Sequence, residues 1–328
     1  MKIKRLQNRI AENRFSLPVT ALIASLVWIS TGLITQGLWV QFGLMIVSTY
    51  FMVELNNQNA LMRTYSRMVS CALLVLILIN LPLYAHNTAV GIIQLCFILH
   101  LRFLFHSYQD KRSMGSIFFA FTMLGICSLF FIQILYLVPI IWYVMGTRIL
   151  SMTGRSFFAS IIGLLLPYWC IAGFFIYQGN GDSLIHHIQS ITVFKSFSLE
   201  NLPSTPKLIS MGFITLMGIT GSIHFLRNSY LDKIRTRMLY EALIILFSCV
   251  VLFIILQPQH IDMITPILIT LTAPLIAHYI TFTHSFLTNL SFIILIFTTT
   301  LLIVLNLWQP LLTFLYTGVI GACSFPLF

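Results

Sequence analysis

Glu54-Leu55-Asn56-Asn57-Gln58-Asn59-Ala60-Leu61-Met62-Arg63-Thr64-Tyr65-Ser66-Arg67 is a polar interruption between two apolar runs, at roughly residues 36–53 and 68–84. A span across a bilayer needs ~20 predominantly apolar residues. Two such runs joined by a short turn carrying Asn, Gln, Arg and a carboxylate read as a helical hairpin whose loop meets a membrane surface. Arg63 and Arg67 are spaced i and i+4, so they share a face of any helix that starts near Asn59. Glu54, at the end of the preceding run, is placed to orient Arg63. That face either binds an anionic headgroup or phosphate, or locks a tight turn.

Composition extends the same reading to the whole chain. Hydrophobic residues make up 58% and charged residues only 8% of the 328, against ~45–50% and ~25% in soluble domains. Such a chain has too little polar side-chain surface to cover a soluble core. It is expected to be an all-α polytopic transmembrane bundle of about 12 spans (10–12), residues 16–328 forming one transmembrane domain. The net charge of +10 is not a nucleic-acid signal, because its placement follows topology. Residues 1–15 form a basic segment, read as an interfacial helix on the cytoplasmic face that precedes a retained signal-anchor span.

Apolar runs fall near 16–35, 36–54, 68–84, 88–106, 114–130, 132–146, 157–177, 208–225, 239–256, 263–282, 286–306 and 309–328. With the N-terminus in the cytoplasm and every run crossing, the loops at 55–67, 107–113, 147–156 and 226–238 lie inside. Every Lys and Arg except Lys195 and Lys207 is then cytoplasmic, as the positive-inside rule demands. Both termini end up inside. Residues 114–146 are barely long enough for two passes, yet Lys111 and Arg112 before them and Arg148 and Arg155 after them all call for the cytoplasm. A tight hairpin turning near Phe131–Gln133 is expected, crossing twice or re-entrant. Pro139, Pro167, Pro266 and Pro274 fall within runs, as packing kinks or breaks.

The substantial external segment is 178–207. There Leu184, Ile188 and Ile191 recur at helical spacing, predicting a short amphipathic helix on the outer surface. Asp182, His186 and His187 on this segment form a candidate external polar site, although adjacent histidines diverge by about 100° on a helix and make a poor ligand pair. Arg102 and His106, and likewise His278 and His284, sit near inner helix ends and read as side chains reaching back to headgroups. Arg235 and Arg237, in the basic 226–238 loop, join Glu54, Arg63 and Arg67 as candidate contacts for an anionic lipid or phosphate. The six cysteines all lie in apolar runs without a CxxC pair, and read as small packing residues. No motif implies a metal or a cofactor, and no pattern identifies a catalytic residue.

Several short stretches together resemble a family of uncharacterised multi-pass inner-membrane proteins from Bacteroidetes. They are Glu54-Leu55-Asn56-Asn57 followed by Ala60-Leu61-Met62-Arg63, Cys127-Ser128-Leu129-Phe130-Phe131, Ile162-Gly163-Leu164-Leu165-Leu166-Pro167-Tyr168, Arg235-Thr236-Arg237 and Ala273-Pro274-Leu275-Ile276-Ala277-His278-Tyr279. The resemblance runs from about residue 40 to 305, and the basic N-terminus departs from it. It implies a bacterial inner-membrane location and a helical bundle, but no reaction.

Three functions fit these observations. The first is handling of a lipid or a lipid-linked envelope precursor, as transporter or membrane partner, with membrane lipids as the ligands. The second is a membrane glycosyltransferase or polymerase acting on polyprenyl-linked sugar at the 178–207 segment. The near absence of a first external loop, around Thr35–Gly37, weighs against it. The third is a structural subunit of an envelope complex. Whether the chain is an enzyme is left open by its residues.

Overall fold

The computed structural model describes residues 5–177, 186–192 and 204–323, with backbone only for residue 176 and residues 309–323. Among them the chain is all-helical: α1 Leu6–Glu12, α2 Ser16–Ser30, α3 Trp39–Asn59, α4 Met68–Ile79, α5 Leu81–His86, α6 Thr88–His106, α7 Met114–Phe130, α8 Val138–Val144, α9 Gly154–Tyr177, α10 Thr205–Asn228, α11 Ile234–Leu256, α12 Ile261–Phe282 and α13 Phe286–Cys323. Seven helical segments are long and apolar enough to cross a membrane, or eight if α1 and α2, bent by 91°, count as one span. That is fewer than the expected dozen, for three reasons. α4 and α7 are apolar but shorter than a full span. α3 has the length, but Gln41, Ser48, Thr49 and its polar end dilute it. The runs at 286–306 and 309–328 are not two helices, because α13 continues through both.

α12 is the axis of the bundle. Every residue from Ile264 to His278 on it is buried, and α4, α6, α10 and α11 pack around it. Two of its threonines are satisfied locally, Thr265 donating to the Ile261 carbonyl (2.6 Å) and Thr270 to that of Pro266 (2.8 Å). Pro266 and Pro274 lie inside the helix without ending it, and Pro139 starts α8. None of these three prolines breaks a helix. The outer helices α2, α9 and α13 instead expose large apolar side chains, among them Leu22, Leu26, Ile162, Trp169, Phe174, Phe297 and Leu305. Apolar faces of that extent belong against hydrocarbon. Backbones approach closely where side chains are missing. A β-carbon on Gly125 would stand 2.7 Å from the Leu164 carbonyl oxygen and one on Gly221 2.5 Å from that of Leu275, so α7 meets α9, and α10 meets α12, through glycine.

The expected hairpin at 114–146 is present. α7 ends at Phe130, Phe131 leaves the helical region (φ −145°, ψ 88°), and a 3₁₀ stretch from Ile132 leads into α8. Gln109 N–H donates to the Ile149 carbonyl (2.8 Å), so the chain returns to the end it left. Contacts sort the other connections in the same way. At one end Ser66 bonds to Ala11, Asn8 to Thr281, Arg235 to Asn59, and Arg148 to Glu241. At the other, Gln41 reaches Thr88, His187 reaches Ser128, Lys207 pairs with Asp262, and Asn306 bonds to Ile79 and Ser210. The paired Arg63, Arg102, Arg148 and Arg235 belong to the first end and Lys207 to the other.

The basic N-terminal segment becomes the short α1, docked rather than merely resting on a surface. Its buried Gln7 and Asn8 donate to the carbonyls of Thr283 and Thr281 at the end of α12, capping groups the helix leaves open.

Candidate functional site

The polar stretch at 54–67 does not form one helix. α3 runs through its first half and ends at Asn59, because Ala60 adopts the left-handed conformation (φ 47°, ψ 48°). Residues 61–67 then cross to α4 as an irregular loop. Asn56 steadies that loop by donating to the Ser66 carbonyl at 3.2 Å. Arg63 and Arg67 therefore diverge, and the shared helical face expected from their spacing is absent. Arg63 turns inward and Arg67 toward the Tyr65 hydroxyl (3.0 Å).

Arg63 meets a carboxylate far along the chain. Its Nε lies 2.9 Å from Asp232 Oδ1, close as an ion pair though not aligned as a hydrogen bond, and its guanidinium stacks 4.2 Å over the Phe282 ring. The other Asp232 oxygen is 3.2 Å from His278 Nε2, and both the Asp232 and His278 side chains are wholly buried. A carboxylate can only accept, so the imidazole proton in this contact sits on Nε2. The His278 ring is packed edge-on by Phe225, Tyr240 and Phe282, with His224 5.5 Å away. This cluster joins the 61–67 loop, the 229–233 turn and α12 at the basic end. It gives Arg63 a partner that neutralises it, which removes Arg63 as a free anion contact.

The remaining candidates separate. Glu54 does not orient Arg63. It accepts from Arg102 (2.6 Å) and from Gln58 (2.7 Å). Arg102 is thereby paired rather than reaching back to headgroups, and His100 is wholly buried with Nδ1 2.8 Å from the Ala120 carbonyl. Arg235 donates to Asn59 (3.0 Å) and lies 5.7 Å from the Tyr108 ring, acting as a brace between α11 and the end of α3. Arg237 is half-buried two residues further on. On the opposite end, Asp182 lies outside the described residues. His186 is exposed, whereas His187 turns to the Ser128 carbonyl (3.1 Å) and the Tyr168 ring. The two histidines do not converge. Ile188, expected to anchor an amphipathic helix, is helical in the described residues 186–189, which pass into a 3₁₀ turn at Ser190–Thr192, while Leu184 lies outside the described residues. Among the described residues no group of three His, Cys, Asp or Glu is arranged to hold a metal ion.

A second feature has no counterpart in the sequence reading. Between α2, α4, α10, α12 and α13 runs a laterally open groove of about 440 Å³. Its wall is Val19, Ile23, Val75, Leu76, Phe213, Met217, Ile276, Ile280, Phe292 and their neighbours, with Asn13, Ser16, Thr20, Thr299 and Thr300 as its polar members. The volume is that of a small-molecule site, within the ~300–1,000 Å³ common for ligand pockets. Its lining comes from helices far apart in sequence, each apolar on every side, so no periodicity marks it. No spacing marks Asp232 either. The one signal in the sequence is a carboxylate within the basic 226–238 loop.

No protein-family model matches the chain, and neither a curated protein nor a solved structure is similar to it.

Proposed function

We propose that this chain is a multi-pass protein of the bacterial inner membrane that handles a membrane lipid or a lipid-linked envelope precursor, holding its hydrocarbon chain in the lateral groove. The groove carries the proposal: an apolar cleft open sideways, in a bundle whose outer helices present apolar faces, meets lipid chains and not water. The basic end is assigned to the cytoplasm, since Lys and Arg collect on that side. The resemblance to an inner-membrane family supports the same location. On the opposite face the one described carboxylate, Asp262, is tied to Lys207 at 2.7 Å, so no observation there favours glycosyl transfer.

The test is co-purification. Protein extracted in a mild detergent should carry bound lipid detectable by native mass spectrometry. Val75→Trp, which places an indole in the groove, should cut that retention severalfold while the protein stays monodisperse and keeps its thermal midpoint within a few degrees. Undiminished lipid in a well-folded Val75→Trp protein would refute the groove as the binding site.

A further inference from the structure

The groove ends at the corner where α1 turns into α2, and arginines flank it there. Asn13, Phe15 and Ser16 line it from the corner, and Met68 and Cys71 from the start of α4. Arg14 stands between Asn13 and Phe15 and is exposed. Arg67 directly precedes Met68 and is four residues before Cys71, which lines the groove together with Ser16 and Thr20 where α2 packs on α4. The side of α4 that continues from Arg67 thus faces the first turns of α2. Among the described residues neither arginine pairs with a carboxylate, whereas Arg63, Arg102, Arg148 and Lys207 each do.

Length adds a second constraint. The lining extends over Met68–Leu78 of α4 and Phe292–Ile303 of α13, about 15–17 Å at ~1.5 Å per residue. The hydrocarbon core is ~30 Å thick, so this is roughly one leaflet. A hydrocarbon chain of about that length fits along it. A long polyprenyl chain would leave most of itself outside.

We infer that the groove, Arg14 and Arg67 together form a site for an anionic glycerophospholipid of the leaflet on the α1 side, with one acyl chain along α4 and α13 and its phosphate between the two guanidiniums. This rests on the lipid reading above and adds to it the leaflet, the chain type and the headgroup charge. Guanidinium suits the role because it contacts phosphate oxygens in pairs.

The protein is placed in nanodiscs of phosphatidylcholine containing a minority of phosphatidylglycerol, and the lipids it retains after release are counted by native mass spectrometry. The native chain should retain phosphatidylglycerol above its share in the disc. The double variant Arg14→Gln/Arg67→Gln should lose that enrichment, by about fivefold per arginine, while keeping phosphatidylcholine. Arg14→Lys/Arg67→Lys should recover part of it. Retention at the disc ratio by the native chain, or enrichment that survives the double glutamine variant, overturns the headgroup assignment and leaves the groove reading standing. Val75→Trp separates the two. It should remove both lipids, and enrichment that persists in it defeats both readings, since the arginines would then gather headgroups at an open surface. Undecaprenyl phosphate that displaces phosphatidylglycerol at equal mole fraction would overturn the acyl-lipid assignment.

Discussion

Removing Arg63 and removing Asp232 break the same contact but leave different remnants. Arg63→Met strands a carboxylate with no exposed surface beside an imidazole, and losing the partner of a buried charge costs about 3–5 kcal/mol. Asp232→Asn leaves a guanidinium whose side chain is 29% exposed and can turn to water, so its cost should be nearer the ~1–3 kcal/mol of an unmet buried polar group. Arg63→Lys should fall between, because an ammonium cannot hold Asp232 and lie flat on Phe282 at once. Unfolding in detergent, followed by helicity, measures all three. A larger loss for Asp232→Asn than for Arg63→Met would contradict this picture of which charge is buried. The charges themselves were legible, since the chain has only eight carboxylates. Their pairing was not. Glu54 is the nearest acid to Arg63 in sequence, but it lies within α3, facing Arg102 on α6, and the irregular loop after Ala60 carries Arg63 away from it toward Asp232. His278 looked like an inner-end side chain bound for headgroups, and only the position of α12 at the axis makes it buried.

At the scale of elements, helix existence could be read and helix environment could not. In water a buried helix face differs from an exposed one by its hydrophobicity, but lipid is as apolar as a protein core, so that contrast vanishes. α12 is 89% buried over its candidate span and α13 only 17%, yet α12, with its threonines and two prolines, is the less hydrophobic of the pair. Small residues carry the packing information instead. Gly163 faces the Phe118 backbone across the α7–α9 contact, while Gly173 on the same helix has nothing near it. Gly163→Leu should therefore lower stability by more than the ~1–3 kcal/mol of ordinary overpacking, because a backbone carbonyl cannot move aside as a side chain can. Gly173→Leu should be tolerated. Thermal midpoints of the two purified variants compare them directly, and similar midpoints would remove the close α7–α9 approach from the account. The hairpin after Phe130 was foreseen because the flanking basic residues forced an even number of passes, a constraint that needs no knowledge of packing.

For the whole molecule, the presence of apolar helices of membrane length was the most legible property and the groove the least, because apolarity is carried residue by residue whereas a groove exists only after five helices assemble. The last connection is where threading and structure part. Two separate runs at 286–306 and 309–328 would return the chain to the basic end. α13 instead begins beside α1, where Gln7 N–H meets Asn289 Oδ1 at 3.4 Å, reaches the far end at Asn306, and continues as helix to Cys323. At ~1.5 Å per residue its 38 residues extend about 57 Å, well beyond a ~30 Å hydrocarbon core. A straight helix of that length leaves its C-terminal end on the side opposite α1. Alkaline phosphatase, active only outside the cytoplasm, fused after Cys323 should therefore be active, and a cytoplasm-dependent fluorescent fusion at the same point should be dim. Two single-cysteine controls in a cysteine-free background fix the frame. Ser204→Cys should react with an impermeant maleimide added to spheroplasts, and Thr64→Cys should react only after lysis. With both controls as stated, an inactive phosphatase would mean that α13 folds back in the membrane and both ends share the cytoplasmic side. With Thr64→Cys labelled from outside, the assignment of the basic end to the cytoplasm would itself be lost.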